Sequence, residues 1–245
     1  PKNNLLADYI EGYYFLSSKH TKLPNYLTFP NNFTIITFIR NGFVDMEDNI
    51  VSISKQEGNS ILSIISTYGC PWEIRYLDAV DELTVYFKPS AIQSFFPEFV
   101  NPSTNSIDVD YGSLKQDLAH LFLEENWRSK ELLLDNYLLS IFNPKKDFLL
   151  SEIIDKLDRG HAVSEIAQNL NLSRQYINRY FKNKIGKSPT NFRVISRFRK
   201  TINTLDSQST LTRLTYENLF FDQAHFNKNF RRLTSSSPVK FIHKI

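Results

Sequence analysis

The chain has 245 residues and a formal charge of only +3, from 29 Lys and Arg against 26 Asp and Glu. That balance conceals a split: residues 1–147 carry 12 basic and 19 acidic side chains (−7), whereas 148–245 carry 17 and 7 (+10), which reads as two oppositely charged domains rather than one neutral body. No apolar run approaches the ~18–20 residues of a membrane span, and the single Cys70 excludes an intrachain disulfide framework and a multi-cysteine zinc site.

The best apolar stretch, 132–142, is interrupted by Asp135 and Asn136, and the opening Pro1-Lys2-Asn3-Asn4 lacks the apolar core of a secretion signal. The expected setting is therefore the cytoplasm, with no membrane contact. Residues 26–88 read as strands. Residues 34–39 are β-branched and aromatic, Asn41-Gly42 is a strong hairpin-turn signal, and Phe43 to Met46 continue with alternation. Further strands are expected at 61–65, 73–77 and 83–88, together making a small antiparallel sandwich or barrel. Asp78, Asp81 and Glu82 read as a polar turn between strands, and Tyr13, Tyr14, Phe15, Trp72, Tyr76 and Tyr86 as core or pocket aromatics.

From about residue 90 the pattern turns helical. Pro89-Ser90 opens a short helix, and a longer helical stretch runs over 113–142, with Leu114, Leu118, Leu121 and Phe122 and then Leu134, Tyr137, Leu138 and Ile141 at helical spacing. It reads as a layer packed on the sheet, with a dimer seam as the alternative. The expected organisation is a β-rich N-terminal domain over 1–142, a linker over 143–147, and an all-helical domain over 148–245. In the latter, helices are expected at 148–158, 163–170, 174–184, 189–205, 211–218, 223–233 and 238–244.

The helical half repeats itself. A shift of 49 positions places Asn178 on Asn227, Phe181 on Phe230, Ser188-Pro189 on Ser237-Pro238, and Phe192 on Phe241, with Arg179 and Lys182 on Lys228 and Arg231. Ser173 and Asp222 are good N-caps for helices whose apolar positions fall on one face. On the opposite face, the first copy shows Arg174, Gln175, Asn178, Arg179 and Lys182. The second shows Gln223, Ala224, Asn227, Lys228 and Arg231. Both sets are spaced i, i+1, i+4, i+5, i+8, so each forms one exposed stripe. Guanidinium and amide groups read guanine and adenine edges in the major groove, and a short helix precedes each copy, as in a helix-turn-helix. The helix begun at Ser188-Pro189, about 25 Å long, would hold the two units on one side of duplex DNA. Arg193, Arg197, Arg199 and Lys200 lie on it, as phosphate contacts or as packing groups.

On these residues the last ~100 positions resemble the AraC/XylS family of bacterial transcription regulators. The resemblance rests on Ile166-Ala167 through Ser173, Ile177-Asn178-Arg179-Tyr180-Phe181-Lys182 and Gly186-Lys187-Ser188-Pro189 in the first unit. In the second it rests on the run from Phe220 to Arg231 and on Ser237-Pro238. It implies base contacts by Gln175, Asn178, Arg179, Gln223, Ala224, Asn227 and Lys228. It also implies a fold of two parts: a cupin-like jelly-roll domain with following helices that binds an effector or dimerises, then two helix-turn-helix units. Duplex DNA, RNA polymerase, a small-molecule effector and a second copy of the chain are the implied partners. Thr215, Leu219 and Ser235 depart from the family's usual Ala and two Gly. Leu tolerates a positive φ poorly, so the second unit's turn is expected to differ.

Two rival readings remain for the N-terminal part. A metal-dependent cupin enzyme needs a His-x-His pair with a carboxylate and a further His, and only His20 and His120 occur there. No cofactor, metal or catalytic residue is therefore expected. The other rival is an assembly module without an effector. Cys70 reads as a small buried apolar residue.

Overall fold

The computed structural model describes residues 1–19, 23–97, 105–106, 112–204 and 223–242. They divide into two compact units, one of Pro1–Leu27, Phe33–Ser66 and Trp72–Lys146, the other of Thr28–Asn32, Thr67–Pro71 and Asp147–Ile245.

In the first unit a short helix, α1 (Asn4–Ala7), precedes strands β1 (Ile10–Leu16), β2 (Tyr26–Thr28), β3 (Thr34–Glu47), β4 (Ile50–Ile65), β5 (Trp72–Tyr76) and β6 (Asp81–Phe87). They form one sheet in the order β1-β6-β3-β4-β5-β2, curled into a half-barrel. The pairs β1·β6, β3·β6 and β3·β4 are antiparallel, but β4 and β5 run parallel from Ile50↔Glu73 to Ile53↔Tyr76. Strand β1 lies outside the expected span of 26–88. Its run of Tyr13, Tyr14 and Phe15 is strand-favouring but lacks apolar/polar alternation, and its register shifts between Ile10 and Gly12.

Asn41-Gly42 is not the hairpin turn. The chain reverses at Asp48-Asn49, between Glu47 and its partner Ile50, with Asp48 at φ 52. Asn41 (φ 52) sits at a bulge where the register jumps from Arg40↔Ser60 to Gly42↔Lys55, and its Oδ1 accepts the Gly58 N–H at 3.1 Å. Gly42 is required there for space: a Cβ would stand 2.3 Å from Ile39 Cγ2. The same residue types that make a tight turn thus bend one long strand.

Alternation along β6 separates the carboxylates that looked like a turn cluster. Asp81 and Glu82 begin the strand and are both buried, at 6% and 2% exposure, and only Asp78 lies in the preceding bend. Asp81 takes the Arg40 guanidinium and the Ser18 N–H. Glu82 points to the other face and accepts from Tyr14 Oη (2.7 Å), Tyr76 Oη (2.7 Å) and Thr84 Oγ1 (2.9 Å). Burial pushes its carboxyl above the ordinary value against those three hydrogen bonds. The apolar face, with Ile36, Phe38, Leu62, Leu83, Val85 and Phe87, is covered by helices.

The helical stretch expected over 113–142 is two helices, α2 (Gly112–His120) and α3 (Trp127–Ile141), joined by a 3-10 turn. Asn126 explains the break, since its side chain accepts the Arg128 and Ser129 N–H groups and starts α3 afresh. Asp135, on α3, is 5% exposed and accepts the Lys2 and Asn3 N–H groups and the Tyr13 hydroxyl. A charge that interrupts an apolar run in sequence therefore anchors the start of the chain. Pro89-Ser90 opens a 3-10 turn, Ala91–Ser94, with Ser90 at φ 66. Cys70 is partly exposed rather than buried. Among the described residues no helix is long and apolar enough to cross a membrane, and no group of three or more His, Cys, Asp or Glu could hold a metal ion.

The second unit contains α4 (Phe148–Asp158), α5 (Val163–Asn169), α6 (Arg174–Ile185), α7 (Pro189–Asn203), α8 (Gln223–Thr234) and α9 (Pro238–Ile242). Leu150, Ile153, Ile166, Ile177, Phe181 and Phe192 share one core. Ile195, Phe198, Phe226, Phe230 and Leu233 form a second, which Phe29 and Phe241 pack against. The helix expected over 211–218, the turn at Leu219, the cap Asp222 and the end of the last helix at 243–244 lie outside the described residues.

Candidate nucleic-acid interface

The interface begins with caps. Ser173 accepts the Tyr176 N–H at 3.0 Å and starts α6, and Gly186 ends it at φ 83 with its N–H on the Lys182 carbonyl at 2.8 Å. Asn171, at φ 52, supplies the left-handed residue in the turn from α5, a conformation Asn tolerates better than most. In the same way Ser188 accepts the Asn191 N–H and Pro189 takes the first position of α7.

From Phe226 onward the second helix-turn-helix copy repeats the later part of this geometry at the 49-residue shift. Phe181 and Phe192 meet edge to face with centroids 5.3 Å apart at 81°, and Phe230 and Phe241 do so at 5.4 Å and 80°. The Phe192 N–H reaches the Ser188 carbonyl at 2.9 Å, and the Phe241 N–H reaches that of Ser237 at 2.9 Å. Ser235 stands where the first unit has Gly186. Its N–H caps the Arg231 carbonyl at 2.8 Å, and it holds φ 55, left-handed like the glycine.

A left-handed conformation costs a non-glycine residue about 1–2 kcal/mol, while glycine loses about 0.5–1 kcal/mol of backbone entropy. Ser235→Gly is therefore expected to stabilise the C-terminal unit by about 0.5–1 kcal/mol, read as a higher urea midpoint at unchanged m-value. A lower midpoint would mean that the hydroxyl contributes more than the strain costs.

The two stripes are not uniformly exposed. On α6, Arg174, Gln175, Arg179 and Lys182 are exposed. Asn178 is half-buried, and its Nδ2 donates one of its two hydrogens to the Arg174 carbonyl at 2.8 Å. On α8, Gln223 opens the helix and Ala224, Lys228 and Arg231 are exposed. Asn227 is half-buried, and its Oδ1 has no hydrogen-bond donor among the described residues.

Three of the connector's four basic residues bond back to the same domain. Arg193 Nη1 donates to the His161 carbonyl (2.9 Å), Arg197 Nη2 to that of Gly160 (3.4 Å), and Lys200 Nζ to that of Asp158 (2.7 Å). All three carbonyls belong to the C-terminal end of α4 and the turn beyond it, where the helix dipole favours cations. Burial, and then the charge of Arg193, depress Arg197 below its ordinary value. These side chains hold α7 against α4 instead of pointing free toward phosphate. At 15 residues, α7 spans about 22 Å.

Four residues outside the expected set also bear on α6. Asp147, expected in the linker, is the N-cap of α4 and also touches Tyr180 and Lys184, while Tyr176 lies 39% exposed beside Gln175. An Asp directly before an apolar run was the available signal for the cap. The i, i+4 spacing of Tyr176, Tyr180 and Lys184 signalled the face.

Comparison with known proteins follows the same division. No curated protein sequence matches the chain. A structure of ToxT from Vibrio cholerae is similar over 96% of this chain and 97% of its own, at 12% identity and a TM-score of 0.51, a likeness of fold. The C-terminal domain of AraT, a response regulator from Geobacillus stearothermophilus, covers 42% of this chain and 89% of its own at 17% identity and a TM-score of 0.39. Residues 166–244 match a family model described as a helix-turn-helix domain. By that match, residues 166–244 belong to a helix-turn-helix domain.

Proposed function

We propose that the chain is a sequence-specific regulator that reads duplex DNA through Gln175, Asn178, Arg179, Gln223, Ala224, Asn227 and Lys228. Arg174, Lys182 and Arg231 add attraction for phosphate at the edges of the two stripes. The observation that carries this reading is the repetition of one capped, basic, amide-bearing helix with its Phe pair at the same distance and angle. Two such helices held by a connector of about 22 Å suit successive major-groove segments. The protein acts in the cytoplasm, performs no catalysis of its own, and works through contact with RNA polymerase.

In vitro selection from random duplexes with the full chain tests the reading. Two enriched segments about one helical turn apart are expected, and no enrichment would overturn it. On the selected duplex, Arg179→Ala should cost about 1–3 kcal/mol, the value of a bidentate guanine contact. Binding to random duplex should stay nearly unchanged. Equal losses on both would assign Arg179 to phosphate, and an unaffected Lys228→Ala would leave only the first unit reading bases.

The finer part of the proposal is that the N-terminal β-rich unit governs DNA binding, by taking up a small effector or by pairing two copies. Support for an effector comes from a cleft of about 240 Å³ in that unit, lined by Phe15, Phe122, Trp127, Arg40, Asp81 and Lys130. The Lys130 ammonium lies 5.3 and 5.2 Å from the ring centroids of Phe15 and Phe122, so a charged group and apolar walls meet in one place, as small-molecule sites require. A thermal-shift screen of the full chain separates the two modes. Stabilisation by one metabolite supports uptake, whereas uniform silence with a dimeric mass favours pairing.

A further inference from the structure

Asp147 is the first residue of the C-terminal unit after the last residue of the first, Lys146, and its carboxylate has three partners. It accepts the Leu150 N–H at 3.1 Å, which caps α4. Its Oδ1 also accepts the Tyr180 hydroxyl, and its Oδ2 takes the Lys184 ammonium at 3.2 Å. Tyr180 and Lys184 both belong to α6, four residues apart, so they present one face to a single acceptor. The contact continues along that face. Lys184 Nζ lies 6.0 Å from the centre of the Tyr180 ring, and Tyr180 stacks on Tyr176 with centroids 5.8 Å apart at 11°. Tyr176 in turn adjoins Gln175 and lies one turn before Arg179.

An N-cap needs one acceptor, and Asn or Ser would serve as well. The additional partners have a different consequence. The rest of the α6 packing is apolar, through Ile177, Phe181 and Ile185, and apolar contacts are non-directional. A charged acceptor bonded to two side chains of one helix is directional, so it resists rotation of that helix about its own axis. Base reading demands such control, because side chains must be held within about 0.5 Å of the productive geometry. Burial pushes the Asp147 carboxyl up, but the hydrogen bonds from Tyr180, Leu150 and Lys184 outweigh it and hold the group below its ordinary value.

We propose that Asp147 is a positioning residue for DNA recognition, setting the rotation of α6 and hence the angle at which Gln175 and Arg179 meet base edges. The proposal rests on the reading of α6 as a recognition helix, and the experiment keeps the two apart. Full-length Asp147→Asn, Tyr180→Phe and the double variant are titrated with the selected duplex and with random duplex. Asn preserves the cap, and Phe deletes a single oxygen, so the second variant keeps the test readable if the first loses stability. Each single variant should bind the selected duplex about threefold to tenfold more weakly, with random-duplex affinity and salt slope unchanged. The double should be weaker than either single, because the Asn oxygen can still accept the Tyr180 hydroxyl and the first variant removes chiefly the charge that holds Lys184. Unchanged affinity, or an equal fall on both duplexes, overturns the positioning role while wild-type preference for the selected duplex stands. A wild-type chain with no such preference overturns the recognition reading and this proposal together.

Discussion

Phe181→Ala is expected to remove about 3–5 kcal/mol from the C-terminal unit, the range for deleting a fully buried aromatic ring. Phe181 has 0% exposure and meets Phe192 edge to face, so its loss opens a void between the helix carrying the first stripe and the connector. Domains are stable by only about 5–15 kcal/mol, so the substitution consumes much of that margin. DNA binding should disappear on warming well before the wild-type midpoint. Because the pair recurs as Phe230 and Phe241, Phe230→Ala should cost a similar amount. Urea unfolding followed by tryptophan-independent circular dichroism at helical wavelengths measures both. A cost below about 1 kcal/mol at Phe181 would mean that the core collapses around the cavity.

Stability of the same unit is expected to rise between pH 8 and 9.5, by about 2 kcal/mol from one group. Lys187 follows Gly186 in the turn from α6 to α7, is 4% exposed, and donates to the Asn31 carbonyl at 2.9 Å. Burial pushes its ammonium down to about 8. Below pH 8 the lysine is charged in both folded and unfolded chains, and the folded state bears the full desolvation cost. Above pH 8 the folded chain releases the proton while the unfolded chain keeps it, up to the ordinary lysine value near 10.4. The unfolded state then binds more protons, so stability climbs with pH. Lys187→Met should flatten that climb and raise stability at pH 7 by about 1–2 kcal/mol, part of the gain being offset by loss of the lysine's hydrogen bond to the Asn31 carbonyl. The difference between wild type and variant across pH 7–9.5 isolates this lysine from the rest of the chain. A parallel pH dependence in both would sink the assignment.

Much of the C-terminal unit could be read from residues alone because its signals are local. Helix α4 occupies 148–158 as expected, and α6 and α7 begin at their expected caps, since Ser173, Ser188 and Pro189 act on backbone groups within one turn of themselves. The 49-residue repeat needed only the spacing of Phe, Ser and Pro. Signals with two outcomes were read less well. Asn41-Gly42 suits a turn or a bulge, and Asp81 followed by Glu82 suits a loop or the start of a buried strand. Local propensity does not choose between them. The pairing of β3 with β4 and the partners Arg40, Tyr14 and Tyr76 decide. The basic residues of α7 show the same ambiguity: Arg193, Arg197 and Lys200 are spaced as a phosphate ladder would be, yet they end on the carbonyls at the C-terminal end of α4.

Residue order alone established that this chain pairs an acidic, strand-rich part with a basic part built on a repeated capped helix. Charge composition, cap chemistry and hydrophobic period are properties of short windows and survive without a fold. Tertiary structure alone decided which charges are used up internally and which remain exposed. Arg179 and Lys228 stay exposed, Lys187 is buried, and Asp147, expected in the linker, bonds to Tyr180 and Lys184 of α6. The reason is that a charged side chain's role depends on which distant backbone carbonyl or carboxylate the fold brings within about 3 Å, and spacing along the chain carries no record of that.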